Sequence, residues 1–124
     1  KLFWIILMKK NSKIYVAGHR GLVGSALVKT LNDKGLNHNA ANRIFKQDLR
    51  DIARCEVLLV DMRDHHNAKS QGTAAEMMFA HMKNKIIIVW KDKNDSLNPF
   101  ITAMATEVYN TLSDAIDAAI DYAS

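Results

Sequence analysis

The sequence predicts an α/β domain, a small Rossmann-like (flavodoxin-like) open parallel sheet with helices on both faces. Three observations point to it. Strand-type and helix-type segments alternate along the chain, which is how crossover units build a parallel sheet. Two of the strand segments, Glu56 to Val60 and Lys85 to Trp90, are nearly unbroken apolar runs, as strands buried on both faces are. Loops then begin at Gly18, Asp61 and Lys91, on the rim beyond the carboxyl ends of the strands where such sheets bind ligands.

Taken in order, Lys13-Ile14-Tyr15-Val16-Ala17 is a short β-branched and aromatic run that stops at Gly18, so it reads as a strand. From Gly21 to Lys34 the apolar residues Leu22, Val23, Ala26, Leu27 and Leu31 recur at helical spacing, and Gly35 supplies the stop. Residues 37 to 42 are polar and turn-like. Phe45 to Arg54 is helical, with Leu49 and Ile52 on one face and Asp48 near its start. After the strand at 56–60 comes a charged loop from Asp61 to Gln71, which carries His65-His66. Thr73 to Lys83 is apolar almost all round, the pattern of a buried helix. A polar loop from Lys91 to Pro99 follows the 85–90 strand. Phe100 to Met104, a short strand at Glu107-Val108-Tyr109 and an amphipathic helix from Leu112 to Tyr122 complete the chain.

Length and composition bound the function. At 124 residues and 48% hydrophobic, the chain is sized for one packed core. Residues 8–124 read as a single nucleoside- or nucleotide-binding domain. Residues 1–7 read as an upstream extension ahead of a start-like Met8, with an extra edge strand as the alternative. The apolar run Leu2 to Met8 is too short to span a bilayer and lacks a signal-peptide cleavage site, so no membrane role and a cytoplasmic location are expected. The net charge of +4 is mildly basic. Its Lys and Arg residues are scattered rather than gathered in a stripe with aromatics, which argues against nucleic acid as partner. Cys55 is the lone cysteine and reads as a small buried residue. His65-His66 lacks further metal-ligand spacing, so no metal is expected.

Two rim motifs carry chemistry. The first, Gly18-His19-Arg20-Gly21-Leu22-Val23-Gly24, joins the first strand to its helix. Glycines there permit a tight turn and let backbone N–H groups approach an anion at the helix N-terminus. The stretch Ala17 to Leu27 closely resembles the start of GDP-fucose synthases and related extended short-chain dehydrogenases, which bind NADP. The other parts of that site do not follow: none of Tyr15, Tyr109 and Tyr122 has a Lys four residues later. The motif therefore stays open between a simple glycine-rich turn and a phosphate or sugar contact, with Gly18, His19 and Arg20 as the contacting residues.

The second motif is an ordered set: Asp48-Leu49 on a helix, the strand 56–60, Ser70-Gln71-Gly72-Thr73-Ala74-Ala75-Glu76 entering a helix, then the strand Ile86 to Trp90. With Ile14-Tyr15-Val16-Ala17-Gly18 at the start, this order is similar to the nucleoside 2-deoxyribosyltransferases and the related 2'-deoxynucleoside 5'-monophosphate N-glycosidases. The resemblance covers residues 13–18 and 46–123. It differs in one respect, because the second strand and substrate-covering loop usual before the Asp-Leu pair are missing.

The resemblance implies roles. Glu76 is the nucleophile at C1' of the sugar, a carboxylate suited to an oxocarbenium-like transition state. Asp48 contacts the base or sugar and helps protonate the leaving nitrogen, and Tyr15 orients Glu76. Ser70, Gly72 and Thr73 hold the 5' hydroxyl or phosphate at a helix N-terminus. Asn98 reaches the ligand of a neighbouring copy, which implies a homo-oligomer. No cofactor is implied. Read from the residues alone, Thr73 to Glu76 is equally a capping box, and Asp48 equally a carboxylate at a helix N-terminus. Asp61 and Asp64 read as loop acids, with Asp61 a further candidate contact. Met77, Met78 and Met82 read as core.

Three functions stay in view. The first is an N-glycosidic enzyme acting on 2'-deoxynucleosides or deoxynucleotides. The second is a non-catalytic nucleotide-binding module. The third, opposed by the missing Tyr–Lys pair, is a fragment of an NADP-dependent sugar-nucleotide reductase.

Overall fold

The computed structural model describes residues 4–7, 13–17, 38–63 and 71–124. Within them lie strands β1 (Trp4–Leu7) and β2 (Lys13–Ala17), helix α1 (His38–Arg54), strand β3 (Val57–Asp61), helix α2 (Gln71–Met82) and strand β4 (Ile86–Trp90). Helix α3 (Pro99–Met104), strand β5 (Glu107–Tyr109) and helix α4 (Leu112–Ala123) follow. The sheet runs in the order β1-β2-β3-β4-β5. Strands β2 to β5 are parallel, pairing Tyr15 with Leu58, Leu58 with Ile87 and Val89 with Val108. At one edge β1 pairs antiparallel with β2. The glycine-rich stretch after β2, the helix expected at 21–34 and most of residues 61–71 lie outside the described residues.

Alternation along the strands divides the core in two. Tyr15, Ala17, Leu58, Val60, Ile87 and Val89 face one side, under α1, α2 and α3. Ile14, Val57, Leu59 and Ile88 face the other, under Ala115, Ala118, Ala119 and Ala123 of α4. Those alanines recur at helical spacing and let α4 lie close on the strands. From β2 to β5 each strand lies beside the one before it, and the described helices α1, α2 and α3 share one face, as crossovers of a single hand must. Helix α2 ends in a Schellman turn: Lys85 N–H donates to Ala80 O and Asn84 N–H to His81 O, both at 3.0 Å. Asn84 takes the positive φ (59°) that this turn requires and that asparagine tolerates.

Three expectations are corrected. Helix α1 begins at His38 rather than near Phe45, so the polar stretch before Phe45 is helical. Residues 38–43 carry no large apolar side chain, so no apolar spacing marks the start of the helix. Helix α2 is not buried all round: Met77 is fully buried, but Met78 and Met82 are 45% and 73% exposed. Only one side of α2 meets the sheet, and Met78 and Met82, four residues apart, share the opposite side. The third strand runs one residue later than expected and ends on Asp61, which is buried rather than a solvated loop acid.

Candidate active site

The site starts from Tyr15. Pleating turns its side chain toward the helices α1 and α2, where it is fully buried. Helix α1 brings Asp48 and Asp51 to the same place, because residues three apart share a helix face. Helix α2 brings Glu76, which is 7% exposed. The phenol of Tyr15 is held protonated well above its ordinary range. Burial is the first cause; the charges of Glu76, Asp48 and Asp51 follow in that order, then hydrogen bonding toward Asp48. The hydroxyl nevertheless makes no hydrogen bond of ordinary geometry to the protein, so Asp48 is a near neighbour of the hydroxyl rather than a tight acceptor. Asp51 accepts from Gln47 Nε2 on Oδ1 at 3.0 Å, while its buried Oδ2 has no protein partner. Four side chains from three elements thus converge on the α1–α2 face. Sequence reasoning anticipated Tyr15, Asp48 and Glu76 and missed Asp51, whose only signal was an i, i+3 aspartate pair on one helix face.

The helix bounds change two readings. Asp48 lies in the interior of α1, not at its start, so the N-terminal helix dipole does not explain it. Thr73 lies inside α2, which begins at Gln71, so Thr73 does not take the N-cap place of a capping box. Thr73 is buried on the same side of α2 as Glu76. Gly72 and Thr73 sit in the first turn, where backbone N–H groups face the helix N-terminal end. Gly18, His19, Arg20 and Ser70 lie outside the described residues.

Two expected residues stand elsewhere. Asp61 is the last residue of β3, and alternation sends its side chain to the α4 face, away from Tyr15. It is bound bidentately by Arg63, with Nε–Oδ1 and Nη2–Oδ2 both at 2.9 Å. That guanidinium also lies 3.6 Å over the Trp90 ring centre. Asn98 caps α3, its Oδ1 accepting from Phe100 N–H at 2.8 Å.

A separate cleft of about 560 Å³ lies between β5 and α4, lined by Glu107, Tyr109, Asp114, Asp117, Asp121 and Tyr122 among others. Tyr109 and Tyr122 donate to the two oxygens of Glu107, Tyr122 at 2.6 Å. Its lining carries four carboxylates and no cationic group, which suits a phosphate-bearing ligand poorly. The Tyr15 cluster, which gathers carboxylates from two helices around a buried phenol, is the candidate. Among the described residues, no three His, Cys, Asp or Glu side chains are grouped to hold a metal. No helix there is long and apolar enough to cross a membrane.

In solved structures, the same architecture occurs in a 2-deoxyribosyltransferase from Bacillus psychrosaccharolyticus. The TM-score is 0.63 at 17% identity, covering 82% of this chain and 88% of that one. The fold is like that of a nucleoside 2-deoxyribosyltransferase. A CMP N-glycosidase from Clostridium botulinum matches with a TM-score of 0.56 at 18% identity, over 85% of this chain and 96% of that one. In both, the deoxyribosyltransferase-like fold is shared at low sequence identity. No family model matches the sequence. Short stretches are also similar to Arabidopsis thaliana proteins, at 56% identity over 32 residues of a putative GDP-L-fucose synthase 2 and 59% over 47 residues of GDP-L-fucose synthase 1. These stretches span 10% and 15% of those relatives' length and 26% and 38% of this chain.

Proposed function

We propose that the chain is an N-glycosidic enzyme acting on 2'-deoxynucleosides or deoxynucleotides, by 2-deoxyribosyl transfer or base-releasing hydrolysis. The observation that carries this reading is the convergence of Tyr15, Asp48 and Glu76 from three separate elements. The Glu76 carboxylate attacks C1'. As the C1'–O bond forms, the C1'–N bond breaks, and its electron pair leaves with the base. Asp48, protonated from solvent before the step, passes that proton to the leaving nitrogen and takes one back from the incoming base or water. A second base or water then takes the sugar from Glu76. A 2'-deoxy sugar suits this route, because no electron-withdrawing hydroxyl opposes the positive charge at C1'. Tyr15 stays protonated throughout and donates toward the carboxylates. Gly72 and Thr73, with Ser70, form the cradle for the 5' hydroxyl or phosphate, and Gly18, His19 and Arg20 contact the same end of the ligand. Asp61, whose carboxylate Arg63 occupies on the α4 face, takes no part in this reading. The chemistry uses no metal and no cofactor.

The enzyme is a homo-oligomer in this reading, with Asn98 of one copy reaching a neighbour's ligand. That helps exclude water where the usual substrate loop is missing. Light scattering should give a mass above one chain, and a monomer at working concentration overturns this part. The function itself is tested by incubating the protein with deoxynucleosides and deoxynucleotides and following free base. Binding without release by the parent protein would favour the nucleotide-binding module instead.

A further inference from the structure

The exposed charges of two helices are sorted by sign. On α1, Arg43, Lys46, Arg50 and Arg54 are exposed and follow one another at intervals of three or four residues, so they form one stripe. The two acids of that helix lie off the stripe, Asp51 buried and Asp48 half-buried. On α4 the exposed Asp114, Asp117 and Asp121 form an acidic counterpart, and residues 107–124 hold no Lys or Arg. Like charges three or four apart repel and weaken a helix. Asp121 also stands in the last turn of α4, where the dipole disfavours an acid. Neither stripe is relieved within the chain. Among the described residues, no ion pair joins any of these seven side chains, and Arg50 bonds the neutral Gln47 at 3.2 Å. A face that serves solubility alone is better made of mixed signs.

We propose that the α4 face is an interface for a second copy of this chain, whose α1 stripe is seated on it. Arg43, Lys46 and Arg50 have the same spacing, i, i+3 and i+7, as Asp114, Asp117 and Asp121. Two such helices laid side by side with their directions matched bring three opposite charges together over about 10 Å. The cleft between β5 and α4 gives the long side chains a bed. Their stems lie along the rings of Tyr109 and Tyr122 while their charged heads meet the acids. Within one copy the stripes cannot meet, because α1 packs on the Tyr15 side of the sheet and α4 on the other. The contact is therefore heterologous: each pairing leaves one stripe open on each copy, and assembly continues until a ring closes. A small cation in the cleft, or a separate anionic partner on α1, would use one stripe at a time and leave their matched spacing without a reason. The interface does not depend on the proposed activity.

Light scattering of the full chain reads this interface without any substrate. The average mass should rise with concentration at low salt. The apparent Kd should weaken about tenfold as NaCl is raised from about 0.05 M to about 0.5 M. Two variants then remove one stripe apiece: Arg43→Gln, Lys46→Gln and Arg50→Gln on α1, or Asp117→Gln and Asp121→Gln on α4. Glutamine is a good helix former, and Asp114 is kept because it favours the first turn of its helix. Circular dichroism should show both variants folded, with Tm held or raised because like-charge repulsion is relieved. Each variant alone should lose the salt-sensitive association. Mixed, they should regain one contact, because the intact α4 of the first meets the intact α1 of the second. Association unmoved by salt, loss in only one of the two variants, or a mixture no heavier than its components overturns the proposal. A mass above one chain that survives high salt in both variants reports the separate Asn98 contact, so the two interfaces can fail independently.

Discussion

Glu76→Gln separates a catalytic carboxylate from a structural one. The amide keeps the size and hydrogen-bonding reach of the glutamate, so Tm and nucleotide binding should hold. It cannot attack C1' or offer negative charge to an oxocarbenium ion. Base release should therefore fall by about three orders of magnitude or more, measured by chromatography of free base. Full turnover in the variant would remove Glu76 from the chemistry. The same residues show how far the site was legible. Tyr15 and Glu76 were marked by the resemblance of their motifs to the deoxyribosyltransferases, and not by local propensity or spacing. Asp48 was found by motif but set at the wrong point of its helix. The apolar residues that would have marked the start of α1 are replaced by His38, Asn39 and Asn42. Asp51 was not legible at all. A buried aspartate inside a helix looks, along the sequence, like any solvated one, and only tertiary placement distinguishes them.

Among elements, the strands were the most legible. An unbroken apolar run bounded by polar loops has one economical use in a parallel sheet, and β4 and β5 fall within a residue of expectation. The β5–α4 pair held a feature that no pattern announced, the grip of Tyr109 and Tyr122 on Glu107. It makes the join between these elements sensitive to pH in both directions. Glu107 is held below its ordinary 4.5 by the hydrogen bonds of Tyr109 and then Tyr122, so its contribution is present above that value and lost as pH falls. Tyr109 is pushed up to about 12, chiefly by donating to Glu107, so its contribution is complete below pH 10 and lost as pH rises through 12. Tm should therefore drop between pH 10 and 12. Glu107→Gln should begin from a lower plateau and flatten that drop, because the charged acceptor is gone. Parallel Tm curves for parent and variant would deny the grip any part in stability.

For the whole molecule, the N-terminal strand sets a question of extent. β1 covers the outer edge of β2, the strand that carries Tyr15. A chain beginning at Met8 leaves that edge open and should unfold several degrees lower, while an unchanged Tm would mark residues 1–7 as dispensable. The sheet order has a further consequence, for how the chain reaches this state. Every described strand pairs with the next described strand along the chain, so among the described residues no distant segment must be threaded between strands already in place. Each added strand closes a loop no longer than a single crossover, and loop-closure entropy is the main toll on folding speed in parallel sheets. Growth can begin at β3 and β4, whose middle residues are buried on both faces, and proceed outward one unit at a time. The Tyr15 strand adds directly to β3 by this route, and the recess that holds the carboxylates closes only when that strand has docked.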